Sequence, residues 1–241
     1  MSFMNSAKHW LRDLFRYPAY RSADASYDDY WQVRDLHSPL NSFQRSRVGF
    51  IARRLSDGDS VLDVGCGDGR TLEALTGGIR HIGAFGIDSS SAALERAKAR
   101  GIATMQGDIR RPETLKDVDE ADWILLLEVL EHMPDSETLL AWASGHARKG
   151  VIFSVPNTGF ITHRLRLLLG RFPLQWKAHP SEHLRFWTVR DIRWWLRQLG
   201  FQYELHTYEG IPILNRLWPS MFAAGTIVTI QGKRLIASAV R

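Results

Sequence analysis

Short apolar runs alternate with amphipathic stretches along most of the chain after residue 60. The runs are rich in Val, Ile and Leu and are typical of buried strands, whereas the stretches between them have a helical period. We predict strands at Val61–Val64, His81–Ile87, Ile102–Gln106, Trp123–Leu127, Val151–Val155, Phe201–Tyr208 and Ala224–Gln231. We predict helices at Thr71–Leu75, Ser89–Arg100, Ser136–Ala147 and Thr188–Leu199. Strand and helix in turn, with short connections, indicate an α/β fold with a parallel sheet covered on both faces.

The first 55 residues resemble a helical appendage to the domain that follows. Trp10, Leu14 and Phe15 fall on one side of a predicted helix, and a helical period returns over Ser42–Leu55. A basic amphipathic helix can pack on its own protein or lie on a membrane surface. We interpret this one as packing on the protein, with peripheral membrane contact through residues 1–17 as the alternative.

Within the predicted domain of residues 56–241, the stretch 156–187 interrupts the alternation. It follows a predicted strand where an α/β unit needs only a short loop, so we predict a lid. Between Phe160 and Arg190 the acidic residue Glu182 is outnumbered by basic ones, which are Arg164, Arg166, Arg171, Lys177, Arg185 and Arg190. Arginine side chains bind phosphate or carboxylate groups well, so this lid favours an anionic acceptor, with solvated helix faces as the alternative.

Composition narrows the classes of protein that fit. The 241 residues suit one domain with appendages, and the single cysteine, Cys66, rules out an intramolecular disulfide. The first residues lack the apolar core of a signal peptide, and the longest apolar stretch is well short of the ~20 residues that span a bilayer. We therefore expect a cytoplasmic protein, with a membrane-peripheral one as the alternative. The net charge of +5 fits either a solvated surface or an anionic partner.

Three glycines follow the first strand of the domain, at Gly65, Gly67 and Gly69. A glycine loop between a strand and a helix lets a ligand lie against bare backbone. Asp88 ends the next predicted strand, nineteen residues beyond Gly69. A carboxylate at that place can accept hydrogen bonds from both hydroxyls of a nucleotide ribose. The pattern predicts a nucleotide-like ligand at this edge of the sheet.

The ligand is predicted to carry positive charge. A dinucleotide site would have a third glycine where Arg70 stands, and its pyrophosphate would be repelled by Asp63 before the loop and Asp68 within it. Two carboxylates there suit a sulfonium and an ammonium group instead. S-adenosylmethionine carries both, together with a ribose.

The segments "VLDVGCGDG", "GIDSS", "MQGDIRR" and "WILLLEVLEHMPD" resemble the successive motifs of class I S-adenosylmethionine-dependent methyltransferases. The resemblance covers roughly Val61 to Val155. It implies a Rossmann-like sheet of seven strands with the last antiparallel, and S-adenosylmethionine as cofactor. It also implies the cofactor-binding residues: Asp63, Gly65, Cys66 and Gly67 along the methionine part, Asp88 and Ser89 at the ribose, Asp108 and Ile109 at the adenine, and Glu128 beside the cofactor.

A narrower resemblance points to two branches of this superfamily. "SVPNTGFITHRLRLLLGRFP" and "EHLRFWTVRDI" look like the MetW-type branch of methionine biosynthesis, whereas "EVLEHMPD" looks more like ubiquinone-biosynthesis O-methyltransferases. Both are kinships and name no substrate. We expect methyl transfer to an oxygen, with nitrogen second, of a small-molecule or glycan-lipid acceptor. The alternatives are an RNA methyltransferase and a cofactor-binding MetW-like partner of an acyltransferase.

Methyl transfer needs an aligned nucleophile and a group that takes its proton. His132 is the candidate base because it follows the fourth strand at the ligand edge, with a packing role in the loop as the alternative. Glu128, Glu131 and His132, with His179 or His183, could instead ring a divalent ion, as similar clusters do in metal-dependent relatives. We expect no resident metal, since Glu128 already lies at the cofactor edge.

Overall fold

A seven-stranded sheet forms the centre of the molecule. The computed structural model describes residues 14–17, 31, 39–78, 81–175 and 182–232. The strands are β1 (Ser60–Val64), β2 (Gly83–Asp88), β3 (Ala103–Gln106), β4 (Ala121–Leu127), β5 (Ala147–Pro156), β6 (Tyr203–Tyr208) and β7 (Gly225–Gln231). They lie side by side in the order β3-β2-β1-β4-β5-β7-β6.

Strand direction confirms the predicted topology. The neighbours from β3 through β5 pair in parallel, whereas β7 runs antiparallel to both β5 and β6. The order reverses between β1 and β4, and ligands of open α/β sheets bind outside the carboxyl ends of the strands at such a switch point. The fold therefore predicts a site above β1 and β4.

Helices cover both faces of this sheet. They are α1 (Ser42–Ala52), α2 (Arg70–Gly78), α3 (Ser91–Ala99), α4 (Ser136–His146), α5 (Ile161–Leu168), α6 (Val189–Gln198), α7 (Leu214–Leu217) and α8 (Pro219–Phe222). Local capping chemistry sets several starts. Thr188 caps α6 in a reciprocal capping box with Asp191, and Asn41 does the same for α1 with Gln44.

The core lies on both sides of the sheet because the central strands are apolar along their whole length. Ile124, Leu125, Ile152 and Phe153 are completely buried. Helix α1 belongs to this packing, since Phe50 and Ile51 join a buried cluster with residues of β1, β4, β5 and β7. The described part of the chain contains no helix long and apolar enough to cross a bilayer.

The sequence and the structure differ at some element ends. The predicted helix through Ala147 stops at His146, and β5 begins at once, four residues before the predicted Val151. Arg148 and Lys149 interrupt the apolar run, so the hydrophobic pattern does not indicate this part of the strand. The structure explains both residues, because each reaches outward to a carboxylate, Asp122 or Asp59.

The two ends of the predicted lid are in contact with each other. Asn157 and Trp187 form a parallel bridge, and the Thr158 amide donates to the Trp187 carbonyl at 2.9 Å. Helix α5 lies within this insertion, and the neighbouring chain segment at Leu14–Tyr17 contacts it. Trp10, Lys177 and His179, which the sequence analysis named, lie outside the described residues.

Candidate functional site at the carboxyl ends of the strands

The glycine loop after β1 lies beside the end of β2. The amides of Gly65 and Cys66 both donate to the Ile87 carbonyl, at 2.7 and 3.0 Å. Gly65 has a φ of 84°, and a Cβ there would lie 2.6 Å from a methyl group of Val129. Both the backbone angle and the close approach therefore require glycine at this position.

Gly67 is covered by an aromatic ring from the N-terminal part of the chain. Its φ is 55°, and a Cβ would lie 2.7 Å from the ring of Trp31. Trp31 is buried. The glycines of this loop are predicted to leave room for a ligand. In the structure, the Trp31 indole already contacts one side of the loop.

Asp88 joins the loop to the neighbouring strand. One carboxylate oxygen accepts from the Gly67 amide at 2.8 Å, and the other accepts from the Ser90 amide at 2.9 Å. A carboxylate oxygen can accept more than one hydrogen bond, so these two contacts are compatible with ribose hydroxyls as additional donors. Ser89, the next predicted site residue, is exposed at the same edge.

The two other acidic residues near the loop differ in what they contact. Asp68 is buried in an ion pair with Arg70 at 2.7 Å, so its charge is compensated inside the protein. Asp63 is also buried, and its Oδ1 has no hydrogen-bond partner among the described residues. Burial, reinforced by the charge of Asp88, raises the pKa of Asp63 to about 7. The expectation that both acids favour a cationic ligand therefore applies to Asp63, and Asp68 serves the loop itself.

Two further predicted cofactor residues have their side chains engaged by the protein. The Cys66 sulfur points into the core, where it packs over Gly86 of β2, and burial raises the pKa of this thiol. The thiol also lies 3.6 Å from the Gly67 carbonyl oxygen, so it is engaged by the protein on both sides. Asp108 is held by Arg110, which donates to both carboxylate oxygens at 2.9 Å. The neighbouring Ile109 packs partly buried against the core.

Glu128 begins the loop after β4 in a left-handed conformation, with a φ of 57°. Such a backbone angle is uncommon for a residue with a side chain and often marks a functional site. Its carboxylate accepts from the Ser154 hydroxyl at 2.7 Å and pairs with Arg47 at 3.1 Å. Tyr208, whose pKa is raised by burial and by Glu128, lies within 3.4 Å of the same oxygen. All three contacts are made to Oε1 of Glu128.

The loop after β4 places three potential metal ligands together. One ligand atom from each of Glu131, His132 and His183 lies within 4.8 Å of the others. The two imidazole rings meet edge to face at 4.7 Å between centroids. Glu131 is buried, and neither of its carboxylate oxygens has a hydrogen-bond partner among the described residues. Burial, with a contribution from Glu128, raises the pKa of Glu131.

The C-terminal end of the lid is hydrogen-bonded to the loop that carries this cluster. The amides of Leu184 and Arg185 donate to the Glu131 carbonyl at 2.8 and 3.1 Å. The Arg185 guanidinium also binds both carboxylate oxygens of Glu137 in α4. His183 therefore reaches the cluster from the lid, whereas Glu131 and His132 reach it from the sheet.

Four residues at the site were not singled out from the sequence. Arg47, Ser154 and Tyr208 surround Glu128, and Trp31 covers Gly67. Arg47 looks no different from the other arginines of its helix, and Ser154 and Tyr208 look like ordinary strand residues. The aromatic and acidic run around Trp31 was the one visible signal, and it gave no indication of where the ring would pack.

Comparison with known proteins agrees with this geometry. The sequence profile of the family described as "Methyltransferase domain" matches residues 38–206. A ubiquinone biosynthesis O-methyltransferase of Hahella chejuensis is 31% identical over 177 residues, which cover 70% of this chain and 74% of that protein.

Solved structures share the fold at lower identity. Magnesium protoporphyrin IX methyltransferase from Synechocystis PCC 6803, solved with bound SAH, has a TM-score of 0.57 at 16% identity and covers 96% of each chain. The small RNA methyltransferase HEN1 has a TM-score of 0.60 at 22% identity, covering 85% of this chain and 27% of that one. The profile match over most of the chain, the order of the strands and the glycine loop agree: the protein is a class I S-adenosylmethionine-dependent methyltransferase of the Methyltransferase domain family.

Proposed function

We propose that this methyltransferase acts on an oxygen atom of a small hydroxylated acceptor, either a free small molecule or a glycan-lipid. The observation that carries the proposal is the cluster of Glu131, His132 and His183 beside the cofactor edge of the sheet. A hydroxyl acceptor must lose a proton during methylation, and this cluster offers groups that can promote that loss. The similarity to ubiquinone biosynthesis O-methyltransferases supports oxygen over nitrogen.

The contacts of His132 suit it to act on the acceptor through Nε2. Its Nδ1 lies 2.5 Å from the Glu182 carbonyl oxygen. A carbonyl can only accept, so Nδ1 carries the proton, and the neutral ring keeps its lone pair on Nε2. That lone pair can take the acceptor's proton as the methyl group is transferred, or it can bind a cation.

The burial of Glu131 favours the cation. A buried carboxylate without hydrogen bonds is costly unless a positive charge compensates it. Carboxylate and imidazole donors together fit Mg²⁺, Mn²⁺ or Zn²⁺. We therefore propose, against the expectation from the sequence, that Glu131, His132 and His183 hold a divalent cation, which would lower the pKa of an acceptor hydroxyl. In its absence the same His132 serves as the base.

The proposal of an anionic acceptor has less support than the proposal of methyl transfer to oxygen. Four of the six basic lid residues bind the protein itself, because Arg164, Arg166 and Arg171 donate to backbone carbonyls and Arg185 is bound to Glu137. We retain an anionic acceptor as a proposal, resting on the excess of basic residues in the lid. An RNA acceptor has the net charge of +5 and the HEN1 likeness in its favour, but that likeness is of fold.

The test is methyl transfer from labelled S-adenosylmethionine to a panel of neutral and anionic phenols, catechols, sugar alcohols, amines and short RNA. We expect label on hydroxyl acceptors, loss of activity with a chelator, and its return with added Mg²⁺, Mn²⁺ or Zn²⁺. Label on amines or RNA alone would contradict the proposed acceptor. Activity that the chelator does not change but that is lost in His132→Ala would show that His132 acts as the base and that no cation is required.

A cofactor-binding partner of an acyltransferase, the third possibility from the sequence, makes a different prediction. Such a protein would bind S-adenosylmethionine and transfer its methyl group to nothing in the panel or in a cell extract. Cofactor binding measured by calorimetry beside the transfer assay therefore separates the two.

A further inference from the structure

The lid helix α5 (Ile161–Leu168) buries one of its arginines, whereas its leucine side chains are exposed. Arg166 is 2% exposed. His163 is half-buried, and desolvation lowers its pKa to about 4. Leu168, by contrast, is 81% exposed. A surface helix of a water-soluble domain shows the opposite arrangement, with its apolar stripe toward the core. The outer face of α5 is therefore suited to an apolar environment.

The N-terminal segment extends the same surface. Arg166 donates to the carbonyls of Leu14 and Arg16, at 3.2 and 3.0 Å, and Arg171 donates to the carbonyl of Phe15 at 2.6 Å. Leu14 is buried by this docking, while the neighbouring side chains Phe15 and Tyr17 are more than 60% exposed. We call the resulting surface the lid face; its exposed apolar members are Phe15, Tyr17, Leu165, Leu167, Leu168, Leu169 and Phe172.

The charges around the lid face have one sign. In the described stretches that form it, residues 14–17 and 158–175, the charged residues are Arg16, Arg164, Arg166 and Arg171, and none is acidic. Arg16 and Arg164 are exposed at its border, and the Arg171 guanidinium lies 4.8 Å from the Tyr17 ring centroid. Leucine and aromatic side chains with a basic border are the composition of helices that lie in the interface of an anionic membrane.

We propose that the lid face docks on the surface of an anionic lipid bilayer. The apolar side chains enter the boundary between headgroups and acyl chains, and the basic border lies at the level of the lipid phosphates. Membrane contact through residues 1–17 is the alternative that the sequence leaves open. The surface proposed here lies mainly on α5, and the described part of those residues, Leu14–Tyr17, adds to it. The inference is independent of the acceptor, since docking requires no turnover.

The experiment is sedimentation of the full chain with vesicles of phosphatidylcholine, with and without phosphatidylglycerol, in the absence of cofactor and acceptor. We expect binding to the phosphatidylglycerol vesicles and weaker binding as salt rises. Replacing two exposed leucines with carboxylates, in Leu167→Glu/Leu168→Glu, should reduce the partition coefficient roughly tenfold or more. Phe15→Glu, which leaves the helix unchanged, should reduce it in the same direction.

Trp194→Glu is the matched control, because Trp194 is an exposed apolar residue of α6 outside the lid face. It should bind vesicles like the wild type, and thermal melting should show all variants folded. Absence of binding to either kind of vesicle would overturn the proposal, as would equal loss in the control. A wild type that instead forms dimers, lost in the leucine variant, would assign the lid face to a second copy of the chain. Vesicle binding without O-methyl product would contradict the proposed function and leave the docking intact.

Discussion

Four buried carboxylates near the strand ends differ in their partners, and the partners decide what each can do. Asp88 accepts two backbone amides and Asp68 pairs with Arg70, so both charges are stabilised before any ligand binds. Asp63 and Glu131 each keep buried oxygen atoms without a hydrogen-bond partner in the described structure. Such groups favour a cation nearby. We assign Asp63 to the positive part of the cofactor and Glu131 to the proposed metal.

The pH dependence of cofactor binding follows from Asp63. Its pKa of about 7 in the unliganded protein means that it is largely protonated at about pH 6. The ammonium group of S-adenosylmethionine favours the carboxylate, so binding at acid pH must release this proton. Affinity should therefore rise about tenfold between about pH 6 and pH 8 and then level off. Calorimetry in buffers of different ionisation enthalpy measures both affinity and proton release.

Asp63→Asn is the matched variant for that measurement. It cannot ionise, so its weaker binding should be nearly independent of pH over the same range. A wild-type affinity that does not change with pH would show that Asp63 is not near the cofactor's charge.

The contact between Gly67 and Trp31 can be tested with a second glycine. Gly58 also has a positive φ, of 83°, but a Cβ there would meet nothing within 4 Å. Gly58→Ala should therefore cost about 1 kcal/mol of unfolding free energy, from backbone strain alone. Gly67→Ala adds a clash with the indole ring and should cost about 2–3 kcal/mol. Chemical denaturation measures both.

Trp31→Ala in the Gly67→Ala background is the decisive variant. Removing the ring should cancel the clash, so the double variant should lose less stability than the sum of the single ones. Strict additivity would contradict the placement of Trp31 on the glycine loop.

At the scale of elements, the pattern of apolar residues predicted much more of the structure than the reactive side chains did. The seven strands follow from runs such as Trp123–Leu127, because a strand buried on both faces must be apolar throughout. The same logic fails for β5, whose first residues are polar and form ion pairs at the edge of the sheet. It also fails for α5, because a helical period shows that one face is apolar but not which face is turned to the protein.

Site residues divide in the same way. Asp63 and Asp88 were predictable because they end neighbouring strands next to a glycine loop. Arg47 was not, since its role depends on Glu128 and Tyr208, which are distant in sequence and meet it only in the folded sheet. His183 could be named as a candidate ligand, but its place beside His132 depends on the fold of the lid. His179, the other candidate, lies outside the described residues.

The anchor of the lid is predicted to matter for substrate binding. Glu137 of α4 accepts from Arg185 at 2.7 and 2.8 Å and from the Trp195 indole at 2.7 Å. Glu137→Ala should cost about 2 kcal/mol of unfolding free energy and raise KM for the acceptor more than it lowers kcat. Glu95→Ala is the control, because its pair with Lys98 is exposed and contributes little. Equal kinetic effects in the two variants would show that this anchor does not position the lid.

At the scale of the whole molecule, one segment of the chain contacts both halves of the site. Leu14–Tyr17 docks on α5 of the lid, and Trp31, fourteen residues after Tyr17, rests on the glycine loop. The lid and the glycine loop are therefore both contacted by described residues of the N-terminal part of the chain. Two side chains hold the first of these contacts: Arg166 donates to the carbonyls of Leu14 and Arg16, and Arg171 donates to that of Phe15.

Arg166→Met tests whether the two contacts are coupled. The methionine keeps most of the buried volume but leaves the Leu14 and Arg16 carbonyls without their donor, so the N-terminal segment should detach more easily. We expect faster proteolytic cleavage near the N-terminus and affinity for S-adenosylmethionine several-fold weaker, because Trp31 then covers Gly67 for less of the time. Arg190→Met, an exposed arginine of α6, is the control and should change neither quantity. Faster cleavage with unchanged cofactor affinity would show that Trp31 holds its position without the contact on the lid, and that the lid and the cofactor loop act independently.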